Sequence, residues 1–251
     1  MAETPEHGTI YIAGITGSIG SQLAERLLNQ GWTVAGFARS ADRIAELKER
    51  LPNLNVVEAD ATDSEAVKQA FAQLGELVGP PTAYVHAVGS ILLKGAHQTK
   101  DDEWHRTIDL NLNSAFYGLR AAITAIKKNG SITLISSTAA HVGLPSHEAI
   151  AAAKGGVDAL ARSAAATYAN KGIRVNTVAL GLVESNMSQP IIASETGRKV
   201  SESMHPLGRI GLPNDAASMI AFLVADEASW ISGQNFVVDG GMSSLRQRPK
   251  V

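Results

Sequence analysis

The sequence contains no cysteine, and no apolar run approaches the length of a membrane-spanning helix. The absence of cysteine excludes disulfides, thiolate metal ligands and a cysteine nucleophile, and no metal site is predicted. A spanning helix needs about 20 predominantly apolar residues. The first eight residues also lack a charged segment followed by an apolar one, as a secretory signal would have. We therefore expect a protein that spans no membrane and resides in the cytoplasm.

An excess of charge of either sign is also missing. The chain of 251 residues has 22 Lys and Arg against 24 Asp and Glu, a net charge of −2, and the two signs are interspersed. This balance gives no electrostatic reason to expect nucleic acid or an anionic membrane surface as a partner, and it favours a small-molecule substrate. No linker divides the chain, so residues 1–251 are predicted to form one domain with a flexible arm at 1–8 and a tail at 243–251.

Short apolar runs alternate with helical patterns along the whole chain. This alternation predicts an α/β fold, a doubly wound parallel sheet of about seven strands with helices on both faces. One long helical pattern runs from Asp101 to Lys128. The predicted strands are Thr9–Ala13, Thr33–Phe37, Asn55–Val57, Ala83–Val88, the run from Ser131, Ile173–Val178 and Asn235–Val238.

The first strand is followed by a glycine-rich loop and then a helix. Glycines at these positions permit a tight turn and a close approach of ligand to backbone, and the free N–H groups at the helix start can face a pyrophosphate. A tight turn without a ligand is the alternative. The predicted cofactor-binding residues of this loop are Gly14, Thr16, Gly17, Ser18, Ile19 and Gly20.

The second strand ends without an acidic residue, in Ala38-Arg39-Ser40. A carboxylate here would bind a ribose diol, whereas Arg39 and Ser40 suit a 2′-phosphate, so NADP is predicted in preference to NAD. Arg39 as a solvated loop charge is the alternative. After the third strand, Asp60 and Ala61 are predicted to lie near an adenine.

The stretch from Ser131 to Lys154 contains a buried strand ending in two serines and a helix with one lysine. Carboxyl ends of parallel strands form the ligand edge of such folds, so Ser137 and Lys154 are candidate catalytic residues. Asn111 lies inside an apolar helical pattern, where a polar residue needs a partner, and binding to a backbone carbonyl or a water is the alternative to a role in the site. Ala87, Gly89, Gly181 and Ser185 follow other strands and are predicted to border the cofactor. Residues 184–206 lack strong periodicity and are predicted to form a mobile substrate lid.

These motifs together resemble the short-chain dehydrogenase/reductase family from Thr9 to Gly241. The resemblance implies a Rossmann fold, a nicotinamide cofactor, hydride transfer between carbonyl and alcohol, and commonly a tetramer. It also implies that Ser137 holds the substrate oxygen, Lys154 the nicotinamide ribose and Asn111 a proton-relaying water. By the same resemblance, Ser185 contacts the carboxamide and Asp60 the adenine.

The sequence differs from the family at the position of the proton donor. The family's proton donor is a tyrosine four residues before the lysine, on the same helix face, and here that residue is Ile150. In the enoyl reductase branch the tyrosine lies seven residues before the lysine, which corresponds to His147. We therefore predict that His147 supplies or relays the proton, with His141 or His86 as less favoured donors. A water-facing His147 at the helix start is the alternative.

Three functions remain open at this point. The first is an NAD(P)-dependent oxidoreductase acting on a small carbonyl, alcohol or enoyl substrate with a non-standard proton donor. The second is a degenerate NADP(H)-binding member acting as a sensor or assembly subunit, and the third a lyase or epimerase on the same fold. The alanine-rich helix after Lys154 favours a homo-oligomer, a tetramer or dimer, with packing inside one chain as the alternative.

Overall fold

A computed structural model describes residues 8–246, so most of the predicted arm and residues 247–251 of the tail lie outside the described part. Every predicted strand is present, with small differences in length. The strands are β1 Thr9–Ala13, β2 Thr33–Ala38, β3 Asn55–Glu58, β4 Ala83–His86, β5 Gly130–Ser137, β6 Ile173–Leu180 and β7 Asn235–Val238.

Helices connect the strands and cover the sheet. The cap residues are polar where expected: the Ser40 Oγ accepts from the Arg43 N–H, and the Asp63 carboxylate accepts from the N–H groups of Glu65 and Ala66. Among the described residues no helix is both long and apolar enough to cross a membrane. The helices are α1 Ser18–Asn29, α2 Ala41–Arg50, α3 Ser64–Val78, α4 Asp101–Ile108, α5 Ser114–Ala125, α6 Glu148–Tyr168, α7 Gln189–Ile192, α8 Glu195–Ser203 and α9 Pro213–Val224.

The seven strands form one sheet in the order β3-β2-β1-β4-β5-β6-β7. All neighbouring strands are parallel, and β5 pairs with β6 over its whole length, from Gly130 opposite Ile173 to Ser137 opposite Leu180. The chain reverses its direction of travel across the sheet between β1 and β4. The predicted doubly wound Rossmann fold is therefore confirmed, and this reversal point is where such sheets bind ligands.

Alternate residues of the central strands pack into two separate cores, one on each face of the sheet. Ile10 and Ile12 of β1 face α1 and α9, whereas Tyr11 between them faces α3 and α5. This alternation follows from the two-residue period of a strand. Because both faces are covered, the strands are almost entirely apolar, as is typical of parallel sheets.

The predicted helical stretch from Asp101 to Lys128 is present but ends three residues early, at Ala125. It is not a uniform α-helix, because one π-helical turn at Asp109–Asn113 (the π-turn) separates α4 from α5. The π-turn is stabilised by side-chain hydrogen bonds to another loop, described below, which helical periodicity does not reveal.

Residues 184–206 contain two short helices, α7 and α8, in place of the predicted irregular segment. The Ser194 Oγ accepts from the Gly197 N–H and begins α8. The Arg198 guanidinium donates to Glu184 at 2.8 Å, and the His205 Nε2 accepts from the Leu182 N–H at 3.2 Å. These contacts attach α8 and the residues just after it to the loop after β6; movement of the segment as a lid stays a prediction.

Candidate active site

A cavity of about 230 Å³ lies at the carboxyl ends of the central strands. Its walls come from the segments after β1, β4, β5 and β6 and from α6, so it occupies the reversal point of the sheet. Eleven of the predicted site residues line it: Gly17, Ser18, Ile19, Gly20, Ala87, Gly89, Asn111, Ser137, Lys154, Gly181 and Ser185. The others, Gly14, Thr16, Arg39, Ser40, Asp60, Ala61 and His147, are not among its lining residues.

The N-terminus of α1 forms one wall of the cavity. Gly17 is its N-cap residue, no side chain caps the helix, and its first turn has no acidic residue. The first N–H groups therefore have no side-chain acceptor, and the helix dipole adds partial positive charge there. Gly14 before the helix has a φ of 74°, and a Cβ at this position would lie 2.8 Å from the Ala87 carbonyl oxygen. This wall is suited to an anion.

Asn111 lies in the π-turn and is fully buried, with 0% of its surface exposed. Its Nδ2 donates to the Thr107 carbonyl and to the Ser90 Oγ, both at 2.9 Å, and its Oδ1 accepts from the Ser90 N–H at 3.1 Å. The prediction that this amide needs partners is confirmed. The π-turn thus places Asn111 against the loop after β4, as π-turns often do at functional sites.

Lys154 of α6 is only 5% exposed. Its Nζ donates to the Ile135 carbonyl of β5 at 2.8 Å, which leaves further ammonium protons for a ligand in the cavity. Burial lowers the pKa of Lys154 to about 8, against the opposing charge of Asp158 one helical turn later. A Cβ on Gly89 would lie 3.4 Å from this Nζ and 2.8 Å from the Asn111 Oδ1. Gly89 therefore leaves the space between these two side chains open.

Ser137 and Ile150 face the same cavity from neighbouring elements. The Ser137 Oγ, at the end of β5, accepts from the Ala139 N–H at 3.2 Å, so its own proton can be donated to a ligand. Ile150 lies one turn before Lys154 on α6 and is 5% exposed. One helical turn before Lys154, the chain therefore presents an apolar side chain to the cavity.

The loop after β6 forms the remaining wall and includes the start of the predicted lid. Ser185, Asn186 and Met187 line the cavity. The Ser185 N–H donates to the Ser188 Oγ at 2.9 Å, and the two hydroxyls lie 3.3 Å apart. These bonds give the wall a defined turn next to Gly181.

The predicted adenine-end residues cluster beyond the cavity, after β2 and β3. The Arg39 Nη1 lies 3.8 Å from the Asp60 Oδ2, and the other Asp60 oxygen accepts from the Thr62 N–H and hydroxyl at 2.9 and 2.8 Å. Burial alone raises the pKa of Asp60, but the Thr62 hydrogen bonds and the Arg39 charge lower it overall. Asp60 is thus a stable carboxylate with one oxygen directed to Arg39.

Arg43 is a cavity residue that sequence reasoning missed. It lies in the first turn of α2, three residues after the Ser40 cap, and its Nη2 donates to the Thr16 carbonyl at 3.2 Å. From the sequence, a charged residue in a first helical turn is expected to face solvent. Sequence spacing does not show that α2 lies beside the glycine-rich loop, so the position of Arg43 at the cavity could not be predicted.

Comparison with known proteins agrees with this geometry. Residues 14–243 match the family described as enoyl-(acyl carrier protein) reductase. The NADP-dependent (R)-specific alcohol dehydrogenase of Lentilactobacillus kefiri is 32% identical over 241 residues, 93% of this chain and 95% of that protein. A short-chain type dehydrogenase/reductase from Mycobacterium ulcerans superimposes with a TM-score of 0.90 at 28% identity, over 96% of this chain and 91% of the other. The chain belongs to the short-chain dehydrogenase/reductase family.

Members of this family are oxidoreductases that use nicotinamide cofactors. Another relative, named inactive 2-(S)-hydroxypropyl-CoM dehydrogenase 2, comes from Xanthobacter autotrophicus. It is 34% identical over 195 residues, 75% of this chain and 85% of that protein. The chain is thus similar both to proteins named as enzymes and to one named as inactive.

The structure does not bring His147 into the cavity of this short-chain dehydrogenase/reductase. His147 is half-buried at the N-terminus of α6, and its Nδ1 lies 2.7 Å from the Pro145 carbonyl oxygen. Proton donation by His147 would therefore require movement of the loop before α6, and the role stays a prediction.

The two less favoured histidines also lie outside the cavity lining. His86 is buried between the Tyr84 hydroxyl at 2.9 Å and the Ser114 Oγ at 3.0 Å, and burial lowers its pKa to about 3. A histidine that stays neutral in this way is a structural residue and not an acid at neutral pH. The His141 Nε2 instead lies 3.1 Å from the carboxylate of Asp158.

Proposed function

We propose that this protein is an NADP(H)-dependent oxidoreductase that transfers a hydride to or from a small carbonyl, alcohol or enoyl substrate, with a non-standard proton donor. The proposal rests on one observation: the uncapped N-terminus of α1 lines the same cavity as Ser137, Asn111 and Lys154. Hydride arrival at a carbonyl builds negative charge on oxygen, so hydrogen-bond donors and a cation must converge there.

The residues present fit a nicotinamide dinucleotide. Gly17 to Gly20 would hold the pyrophosphate on the free N–H groups of α1, because no side chain competes for them. Lys154 would bind the nicotinamide ribose hydroxyls, in the space that Gly89 leaves open. Ser185 would contact the carboxamide and Asp60 the adenine. The bound cofactor supplies or accepts the hydride.

Two arginines support NADP over NAD. Arg39 follows β2 with an exposed side chain, and Arg43 reaches the glycine-rich loop from α2. Guanidinium groups bind phosphate by charge-assisted hydrogen bonds. Thermal unfolding should therefore shift more with NADPH than with NADH at equal concentration, since a ligand at 100 times its dissociation constant adds about 2.7 kcal/mol of stability. A larger shift with NADH would overturn the preference.

The chain's own residues then act on the substrate. Ser137 donates a hydrogen bond to the substrate oxygen, and Asn111 holds a water that carries protons between the cavity and solvent. Ile150 covers the polar groups with an apolar side chain and has no proton to give. The test is a panel of ketones, secondary alcohols and enoyl thioesters followed by nicotinamide absorbance. Turnover of at least one substrate class is expected, and tight NADPH binding without any turnover would contradict the proposal.

A catalytically degenerate NADP(H)-binding protein, acting as a sensor or assembly subunit, is the second candidate. Ile150 favours it, together with the Xanthobacter relative that is named as inactive. The Ile150→Tyr variant helps to distinguish the two. If the wild type turns over no substrate and the variant gains carbonyl reduction, the wild-type cavity binds cofactor but lacks its acid.

We also propose that the protein is a cytoplasmic homo-oligomer. Ala153 and Ala161 of α6 pack inside the chain, whereas the small residues Ala152, Ala159 and Ala166 are exposed along one stripe of the helix. A stripe of small residues permits close approach of a second helix. Light scattering after size exclusion should give the mass of a dimer or tetramer, and a monomer would contradict this proposal.

A further inference from the structure

The cavity has very few groups that can exchange a proton near neutral pH. Among the described residues that line it there is no tyrosine, histidine or carboxylate, and its titratable residues are Arg43 and Lys154. Arginine keeps its proton in proteins. A serine hydroxyl donates hydrogen bonds but is too weak an acid to surrender its proton unaided.

Lys154 is the remaining group, and its placement suits proton transfer. Its Nζ donates to the Ile135 carbonyl oxygen at 2.8 Å, which fixes the side chain and leaves two ammonium protons, one for the ribose hydroxyls and one for the substrate oxygen. The same ammonium borders the open space above Gly89, across from the Asn111 Oδ1. Ser137 lines the same cavity from the strand that supplies this anchor, two residues after Ile135.

Resting on the hydride transfer proposed above, we propose that Lys154 is itself the acid and base of the reaction. In the reductive direction the carbonyl carbon would gain a hydride, with both electrons, from a bound reduced nicotinamide; the new C–H bond would form there and the C=O π pair would move to oxygen. That oxygen takes a proton from the Lys154 ammonium. An O–H bond forms, an N–H bond breaks with its electron pair left on nitrogen, and the neutral amine regains a proton from water. In the oxidative direction the neutral amine removes the alcohol proton.

The surroundings of Lys154 agree with this role. Burial lowers its pKa to about 8, so both protonation states are accessible near neutral pH. The charged or titratable groups that face it are Asp158 on its own helix, His86 from β4 and Arg43 across the cavity. His86 stays neutral, Arg43 stays positive, and Asp158 opposes the effect of burial.

The first test measures Lys154 directly, without turnover. NMR of the full-length protein labelled with 13C at the lysine Cε gives a signal for Lys154, identified by its loss in Lys154→Arg. We expect this signal to titrate with a midpoint near 8 and to move when NADP⁺ binds. A midpoint at the ordinary lysine value of about 10.4 would overturn the proposal. Exposed lysines in the same spectrum are the internal control.

The second test uses kinetics with a substrate found in the panel. In the reductive direction kcat should be constant at low pH and fall about tenfold per pH unit above the Lys154 midpoint. Lys154→Arg keeps the positive charge but cannot release a proton, so kcat should fall at least about 100-fold with little change in the KM for cofactor. If the arginine does not fit, Lys154→Met should show the same loss of kcat, together with a higher KM for cofactor because methionine cannot bind the ribose hydroxyls. Lys171→Arg, near the amino end of β6, is the matched control.

The outcomes separate this inference from the proposed function. No hydride transfer with any substrate would reject the function itself. Hydride transfer with nearly wild-type kcat in Lys154→Arg would show that Lys154 only binds cofactor, and the inference alone would fail. The inference would also fail if His147→Ala removed the pH dependence while Lys154→Arg did not.

Discussion

Replacing Lys154 with methionine should change how stability depends on pH. Burial lowers the pKa of Lys154 from 10.5 to about 8 in the folded state. Between these values the unfolded chain binds more protons than the native protein, so the free energy of unfolding rises with pH. The cost of burying the ammonium is full below pH 8, decreases as the pH rises, and is gone above about pH 10.5.

The size of the effect follows from the same two values. Each pKa unit corresponds to about 1.36 kcal/mol, so the wild type should gain about 2 kcal/mol from this group between about pH 7 and 9.5. Lys154→Met has no charge to bury at this position. It should therefore be more stable than the wild type at pH 7, and its advantage should shrink by about 2 kcal/mol at pH 9.5.

Urea unfolding of both proteins at pH 7 and at pH 9.5 gives the difference in their free energies of unfolding at each pH, and the change in that difference is the quantity predicted. Titrating groups that do not interact with Lys154 are shared by the two proteins, so their contributions cancel in the comparison. His86 does interact with Lys154, but burial lowers its pKa to about 3, so it stays neutral throughout this pH range. Lys171→Met, which changes a lysine at the end of the sheet remote from the cavity, should show no such change with pH. An advantage of Lys154→Met that stays constant from pH 7 to 9.5 would refute the lowered pKa, and Lys154 would then not be able to exchange its proton readily near neutral pH.

Three further variants test the geometry of the site. Gly89→Ala places a Cβ 2.8 Å from the Asn111 Oδ1 and 3.4 Å from the Lys154 Nζ, and it should weaken NADPH binding measured by fluorescence. Gly143→Ala meets nothing within 4 Å and should bind normally; equal weakening in both variants would argue against a local effect. Arg43→Ala should weaken NADPH binding about tenfold or more and leave NADH binding unchanged, and equal losses would remove Arg43 from phosphate recognition. Asn111→Leu loses three hydrogen bonds, about 3 kcal/mol in total. Calorimetry should show a Tm lower by about 6–12 °C, and an unchanged Tm would show that these bonds contribute nothing.

The sequence allowed the fold to be predicted because each buried strand is a short apolar run between turn residues. β1 and β7 have the predicted bounds, and Ser137 and Lys154 line one cavity as their positions on β5 and α6 indicated. The carboxyl ends of parallel strands always lie at the same edge of the sheet. The sequence alone therefore predicts that residues following different strands lie close together.

Long-range contacts decided what could not be predicted. In the π-turn, Asn111 hydrogen-bonds to Ser90, 21 positions away, and Arg43 lines the cavity because α2 lies beside the glycine-rich loop. His147 was assigned from its spacing to Lys154. However, Ser146 before it has a left-handed backbone with φ of 62°, and a turn of this kind cannot be read from spacing. For α8, the Ser194 cap was the local signal that could have revealed the helix.

Transfer of deuterium from cofactor to product tests the central claim most directly. The full-length protein is incubated with NADPH carrying deuterium at C4 of the nicotinamide, in either stereochemical position, and with carbonyl and enoyl substrates in ordinary water. Mass spectrometry should find the reduced product heavier by one deuterium with one of the two cofactor stereoisomers. Product that carries no deuterium from either stereoisomer, or no reduced product at all, would contradict hydride transfer in this cavity.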